Sequence, residues 1–221
     1  MKRTFLAALM VILAVALVGC GSSGGGPTTV TTQILSAPTL DGDIAFDSTA
    51  NSYTVTQGMS PTVQSVFAGI DPVTNVEYRA FLDFPLTGTG GVPGNALIAS
   101  AVLDIVINSI NPQPLVGTIP IRIDLVSFTQ PMVNTDFDRT LQPALVTTTV
   151  IPPISQADFG QHVTIDVTSL MAEAQRLGLA NFQIRIMEDL GVVSPGLIEI
   201  SDPTLGTNPT ALAPLLQVTY Y

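Results

Sequence analysis

The chain has 221 residues, of which 46% are hydrophobic and only 11% are charged, and its formal net charge is −10. The apolar content argues against a disordered chain, and the single Cys excludes a disulfide-stapled fold. The scarcity of Lys and Arg argues against nucleic-acid binding, because a phosphate backbone requires clustered basic side chains.

Residues 1–19 are predicted to be a signal peptide that precedes a lipidated cysteine. Lys2 and Arg3 form a short positive segment, and residues 4–18 form an apolar run too short to cross a bilayer. The run ends in Leu-Val-Gly-Cys at 17–20, which resembles the lipobox of bacterial lipoproteins. The resemblance implies cleavage before Cys20 and acylation of Cys20, which would anchor the protein in a membrane. The alternative is an ordinary secretory signal with an incidental Cys.

The Gly/Ser-rich residues 20–26 are predicted to form a flexible tether between the anchor and a single domain at 27–221. Gly21 follows the cysteine, and in Gram-negative lipoproteins the absence of Asp at this position implies export to the outer membrane or cell surface. Cleavage would leave five Arg against 17 acidic residues, a net charge of −12. We therefore expect no nucleic-acid partner and no anionic-glycan partner.

Alternation of apolar and polar residues predicts an all-β domain, because successive side chains of a strand point to opposite faces. Gly and Pro clusters separate the alternating segments, as in a sandwich of short strands. The predicted strands are 30–35, 53–57, 64–68, 77–84, 99–108, 119–126, 145–151, 163–168, 182–187, 198–200 and 216–221. One short helix is predicted near 169–177, with Thr168 or Ser169 as its N-cap and Gly178 at its end.

Five segments, in order along the chain, resemble DNRLRE-type domains, which are jelly-roll modules of secreted and surface bacterial proteins. Residues 77–86, EYRAFLDFPL, resemble the strand written R-x-x-L-x-F-D-L, and 96–103, ALIASAVL, resemble G-A-x-I-x-S-A-x-L. Residues 163–170, VTIDVTSL, 181–185, NFQIR, and 214–220, PLLQVTY, resemble the later motifs of that family. The resemblance implies a jelly-roll-like antiparallel β-sandwich similar to carbohydrate-binding modules. The chain departs from the family in having no Trp.

An acidic segment at 40–47 is the candidate metal site. Asp41, Asp43 and Asp47 lie within seven residues beside a Gly, and carboxylate oxygens are the ligands that calcium prefers. The spacing is not that of an EF-hand, and the simpler interpretation is a solvated acidic turn. The same argument predicts that Asp136, Asp138, Glu188 and Asp189 face water.

Sugar binding by such a module requires exposed aromatic rings surrounded by polar groups. Tyr78 and Tyr220 are in phase with the core faces, which leaves Tyr53 and Tyr221 as the candidate ligand-binding residues for a neutral glycan. Arg79 and Arg185 lie on the polar faces of their strands and are expected to form cross-strand ion pairs there with Asp83, Glu77 or Glu199.

No catalytic constellation is apparent in the sequence. His162 is the single His, and no nucleophile motif accompanies it. Three hypotheses follow: a non-catalytic envelope lipoprotein that presents a sandwich face or edge to a partner protein, a carbohydrate-binding module, and an enzyme. The first is preferred, since Val102, Val106, Val126 and Met187 fall on the wetter strand faces and would form an apolar patch.

Overall fold

A computed structural model describes residues 28–58, 64–112, 117–189, 195–203 and 209–221. The described chain is built of antiparallel strands and confirms the predicted all-β class. The strands are β1 (Val30–Leu35), β2 (Gly42–Asp47), β3 (Ser52–Gln57), β4 (Ser65–Ile70), β5 (Glu77–Pro85), β6 (Ile98–Pro112), β7 (Ile121–Val126), β8 (Val146–Thr149), β9 (His162–Asp166), β10 (Asn181–Glu188), β11 (Gly196–Ser201) and β12 (Leu215–Tyr220). The helices are α1 (Thr168–Leu177) and α2 (Pro209–Leu212), with short 3-10 turns at Asn134–Phe137 and Gln156–Asp158.

The strands form a curled sheet in the order β1-β12-β6-β11-β4-β5-β10-β7-β8, and the β2–β3 hairpin joins it at β5. The long strand β6 connects its two layers. The first half of β6 pairs with β12 and β9, and its second half pairs with β11. This arrangement is consistent with the predicted jelly-roll-like sandwich.

The main core lies between the two layers and contains the inward faces of most strands. Leu103 and Ile105 of β6, Phe84 of β5 and Ile184 of β10 are at most 1% exposed within it. The period-two pattern therefore identified the inward face of each of these strands correctly.

The outer face of β5, β7 and β10 is also covered, and this was not predicted. The segment 127–145, which we call the covering loop, packs Phe128, Met132 and Phe137 against Ile44 and Phe81 in a second apolar cluster. Val126 belongs to this cluster, Val106 and Met187 are buried as well, and of the four predicted patch residues only Val102 keeps partial exposure. The prediction of an exposed apolar patch is therefore wrong, because strand periodicity cannot show what covers a second face.

The helix α1 matches the predicted position, and Gly178 ends it in the left-handed conformation at φ 65°. Leu170, Met171 and Ala174 are buried against the sandwich. The predicted N-cap is wrong: the cap position is Val167, and Thr168 is the first helical residue, whose N–H donates to Asp166 Oδ1. An exposed ion pair joins Glu173 and Arg176 of α1 at 2.7 Å. In the part of the chain that the structure describes, no helix has the length and apolarity needed to cross a membrane.

Candidate functional site

The acidic segment is a buried strand rather than a solvated turn. Residues Gly42–Asp47 form β2, which pairs with β3 on one side and β5 on the other. Asp41 is 2% exposed and Asp43 is 4% exposed, so the expectation that they face water is wrong. The apolar residues Ile44 and Phe46 alternate with them on the opposite face, and Asp43 is covered by β4, from whose Phe67 N–H it accepts a hydrogen bond.

The three carboxylates of this segment serve different partners. Asp41 Oδ1 accepts from the Asp83 N–H at 2.7 Å, and Asp43 Oδ2 accepts from the Phe67 N–H at 3.3 Å. Asp47 Oδ1 accepts from the N–H groups of Thr49 and Ala50 and so holds the β2–β3 turn. Among the described residues, no group of three or more acidic, His or Cys side chains is arranged to hold a metal ion. The predicted calcium site on Asp41, Asp43 and Asp47 thus has no converging ligand set, and it stays a prediction.

A shallow polar cleft of about 330 Å³ lies where the β2–β3 hairpin meets the start of β5. Carboxylates, hydroxyls and one half-buried Tyr line it. Its lining residues are Asp43, Ala45, Asp47, Ser52, Thr54, Thr56, Val76 and Tyr78. Burial raises the pKa of Asp43 to about 7, and burial beside Asp43 and Asp71 raises the pKa of Tyr78. At neutral pH, Asp43 therefore can both donate and accept hydrogen bonds in the polar cleft.

The structure does not bring Tyr53 and Tyr221 together. Tyr53 stacks on Phe46 with ring centroids 4.7 Å apart and meets the edge of Phe137, on the face of the hairpin opposite the polar cleft. Tyr221 is 48% exposed beyond β12, where its N–H donates to Leu97 O. Tyr78, which was expected in the core, is instead the aromatic residue that lines a polar cleft.

Two buried arginines hold the covering loop over the sheet. Arg185 is fully buried and donates to Asp124 Oδ2 at 2.8 Å, and its Nη1 donates to the carbonyls of Asp136 and Gln142. Arg79 pairs with Glu77 and lies 3.8 Å from the centroid of the Phe137 ring. Both arginines form ion pairs, but Arg185 pairs across strands with Asp124 rather than with an expected acid, the Arg79–Glu77 pair lies within β5, and neither strand face is solvated.

Two of the acidic residues that were expected to face water also belong to the interior. Asp136 of the covering loop is 7% exposed, and Glu188 at the end of β10 is 4% exposed. Burial raises the pKa of Glu188 to about 7. The sequence could not indicate this burial, because it depends on how the covering loop and the turns pack.

A second concave feature, the edge groove, lies between β8, β9 and α1 and encloses about 530 Å³. Threonine hydroxyls dominate its polar lining. It is lined by Thr148, Thr149, Val150, Ile151, Thr164, Ile165, Asp166, Thr168, Ser169 and Ala172. Sequence reasoning missed this groove, because the alternation within β8 and β9 does not show that both are edge strands, one beside β7 and the other beside β6.

Both strands of the edge groove are edge strands. Within the described residues, β8 pairs only with β7 and β9 pairs only with β6. The Val150 N–H donates to Ile121 O, which places Val150 at a hydrogen-bonded position opposite β7. Hydrogen-bonded positions alternate along an antiparallel strand. Thr147 and Thr149 therefore direct their N–H and C=O groups away from β7. By the same alternation, Thr164 directs its backbone groups away from β6. An added strand can bond to such groups.

Exposed apolar side chains accompany the edge groove. Ile151, which lines it, is 84% exposed, and Leu145 just before β8 is 41% exposed. Phe159, in the segment that leads into β9, is 59% exposed. Large apolar side chains beside an open strand edge are features of protein-binding surfaces.

His162 lies at the start of β9, beside the carboxylate of Asp104 on β6. Its Nδ1 is 3.0 Å from Asp104 Oδ1, and its side chain is 55% exposed. Within the described residues, its hydrogen bonds and ion pair all go to Asp104.

No protein-family model matches the chain. No curated protein is significantly similar to it.

Proposed function

We propose that the protein is a lipid-anchored cell-envelope protein whose β-sandwich binds a partner protein at the edge groove, without catalysis. The observation that carries the proposal is the pair of open strand edges, β8 and β9, that border one groove of about 530 Å³. A partner segment in extended conformation would gain main-chain hydrogen bonds from Thr149 or Thr164 and apolar contacts from Ile151.

The anchoring part of the proposal rests on residues 1–26, which lie outside the described residues. The short apolar run, the cysteine at its end and the Gly/Ser tether together favour a lipoprotein of the outer membrane or cell surface. Metabolic labelling with a radioactive fatty acid tests this part. We expect the wild-type protein to be labelled and recovered with membranes, and Cys20→Ser to be unlabelled and soluble. Unlabelled wild-type protein would contradict the anchor.

Photo-crosslinking in intact cells tests the binding part. A photoreactive residue placed at Thr149 or Thr164 stands on an open edge, and one placed at Ala50 on the exposed β2–β3 turn is the matched control. We expect positions 149 and 164 to crosslink to the same protein and position 50 to give no such product. Thr149→Lys, which puts a charge on the edge, should abolish the crosslink at 164. A folded and anchored protein that gives no product at either edge position would overturn the proposal.

The second candidate function is binding of a neutral glycan in the polar cleft. It is favoured by the convergence of Asp47, three hydroxyl-bearing residues of β3 and Tyr78 around about 330 Å³. Titration calorimetry with a panel of neutral oligosaccharides tests it, with Thr54→Val and Asp47→Asn as cleft variants. Thr31→Val on β1 is the control. Heat of binding that both cleft variants remove and the control retains would favour the glycan over the partner protein.

A further inference from the structure

Four buried polar side chains meet where the β1–β2 connection, β5 and the end of β11 come together. Ser36 and Asp41 belong to the connection, Asp83 to β5, and Asp202 follows β11. None of the four is more than 6% exposed. We call these residues the acid cluster, and none of the functions discussed above uses them as a group.

Each member of the acid cluster has an oxygen without a hydrogen-bond partner. These atoms are Ser36 Oγ, Asp41 Oδ2, Asp83 Oδ1 and Asp202 Oδ1. The other carboxyl oxygens of Asp41 and Asp83 do accept hydrogen bonds. Asp83 Oδ2, for example, accepts from the side-chain amides of Gln130, Asn181 and Gln183. Unpaired carboxylate oxygens in a dry interior are costly, and the Ser36 hydroxyl beside Asp41 can supply only one donor for the three of them.

No basic group faces the acid cluster among the described residues. Asp41 is next to the carboxyls of Asp202 and Asp83 and to the Ser36 hydroxyl, and the remaining contacts of Asp83 are neutral amides. Glu199, the other acid of β11, accepts from Ser65 Oγ. The buried Arg185 and Arg79 pair with Asp124 and Glu77. The donor set is not arranged to hold a metal ion either, which leaves a proton as the missing positive charge.

We propose that Asp41 and Asp202 share one proton in a carboxyl–carboxylate pair that fastens the β1–β2 connection to the end of β11, as a proton-dependent latch. The proton resides on one of the two unpaired oxygens and is donated to the other, so one proton supplies the donor that both lack. Burial and the Asp202 charge raise the pKa of Asp41 well above its usual value, and burial raises the pKa of Asp202 to about 6. This agrees with a pair that holds a proton at mildly acidic pH.

Loss of the shared proton would leave two adjacent buried negative charges, which repel strongly in a low-dielectric interior. The contacts that would loosen are the Ser36 N–H to Pro214 O bond, at 3.0 Å, and the Ala37 N–H to Asp83 O bond, at 2.8 Å. These bonds fasten the connection after β1 to the start of β12 and to β5. The latch would thus close the β1 end of the sandwich at acidic pH and loosen it at alkaline pH.

Hydrogen exchange on the full-length protein in detergent micelles, followed by NMR from pH 5 to 8.5, tests the latch. We expect protection of the Ser36 and Ala37 amides, corrected for intrinsic exchange, to fall at least about tenfold across this range. Each unit by which folding raises a carboxyl pKa corresponds to a factor of ten in the closed-to-open equilibrium once the proton is lost. Asp41→Asn and Asp202→Asn should remove the pH dependence at these amides. Asp43→Asn, a buried acid outside the cluster, should retain it.

Two further measurements keep the test decisive. If the Asn variants do not fold, carboxyl carbon chemical shifts of the wild-type protein should show Asp41 and Asp202 titrating together. Protection that is independent of pH, or carboxyls that titrate independently, would overturn the latch. Calcium that restores protection at pH 8, with a chelator reversing it, would overturn the proton in favour of a bound cation.

Discussion

Arg185 Nη2 lies 2.8 Å from Asp124 Oδ2, and neither side chain is exposed to solvent. The two residues are opposite one another on the neighbouring strands β10 and β7. Arg122 Nε donates to the other oxygen, Asp124 Oδ1, at 2.6 Å. Asp124 therefore accepts hydrogen bonds from an arginine of β7 and an arginine of β10. Arg185 also donates to two carbonyls of the covering loop, and so links Asp124 to this loop.

Truncation of Arg185 should destabilise the protein strongly. Arg185→Ala removes the fully buried partner of Asp124, which keeps Arg122, and leaves two carbonyls of the covering loop without donors, and each buried polar group left unpaired costs about 1–3 kcal/mol. Urea unfolding monitored by circular dichroism measures this free energy of unfolding. Arg176→Ala, which removes the exposed ion pair with Glu173, is the matched control and should leave the midpoint unchanged. Equal effects of the two substitutions would contradict the buried-pair interpretation.

The stability of the protein should fall as pH rises from 5 to 8. Burial raises the pKa of Asp43 and of Glu188 to about 7 in the folded state, while both carboxyls titrate near 4 when the chain unfolds. A carboxyl with a raised pKa favours the folded state at low pH, and this contribution is lost as pH passes through the folded-state value. We expect Asp43 to contribute on the order of 2 kcal/mol to the decrease.

Urea unfolding at a series of pH values measures this decrease. Asp43→Asn should flatten the profile, because the amide cannot ionise. Asp71→Asn should not, since hydrogen bonds from Val73 and Thr74 lower the pKa of Asp71. A stability that rises between pH 5 and pH 8 would show that the buried carboxyls are not the dominant titrating groups.

Gly69 should not tolerate a side chain. It has φ +114°, a conformation that L side chains rarely adopt, and a Cβ there would lie 2.0 Å from Gly196 O on β11. Gly69→Ala should therefore lower the free energy of unfolding by at least about 2 kcal/mol. Gly94→Ala is the control, since a Cβ at position 94 would meet nothing within 4 Å. Thermal melting of the two variants decides the comparison, and a Gly69→Ala melting point equal to that of Gly94→Ala would argue against close packing of β4 on β11.

Phe137 should hold the covering loop in place. Its ring packs under the Arg79 guanidinium and against Phe46 and Tyr53. Phe137→Ala should cost about 3–5 kcal/mol and should expose the covering loop to protease. Limited proteolysis with mapping of the first cut checks this. Phe159→Ala, at a 59% exposed position, should leave both properties nearly unchanged. Unaltered protease resistance of Phe137→Ala would mean that the hydrogen bonds from Arg79 and Arg185 to loop carbonyls retain the loop without the Phe137 ring.

The sequence by itself determined the class of fold and the inward face of most strands. Leu103 and Ile105 in β6, or Ile184 and Ile186 in β10, repeat every second residue, and burial of one face demands that spacing. Helix α1 could also be predicted from a local pattern, since its apolar stripe and the terminal Gly178 lie within one short segment of the chain. The strand β2 was missed, because its acidic residues resemble those of a turn.

Only the tertiary structure decided that the outer face of β5, β7 and β10 is covered and that β8 and β9 are edge strands. Val126 and Arg185 follow wet-face positions in the pattern, yet the covering loop buries both. The acid cluster joins Asp41 with Asp202, which are far apart along the chain, and the edge groove joins Thr149 with Thr164, whose strands β8 and β9 do not pair with each other among the described residues. Periodicity records the alternation of one strand with itself, and it carries no information on which distant segment packs against that strand. For this protein, the fold class could therefore be predicted from local pattern, while the candidate sites arise from long-range packing.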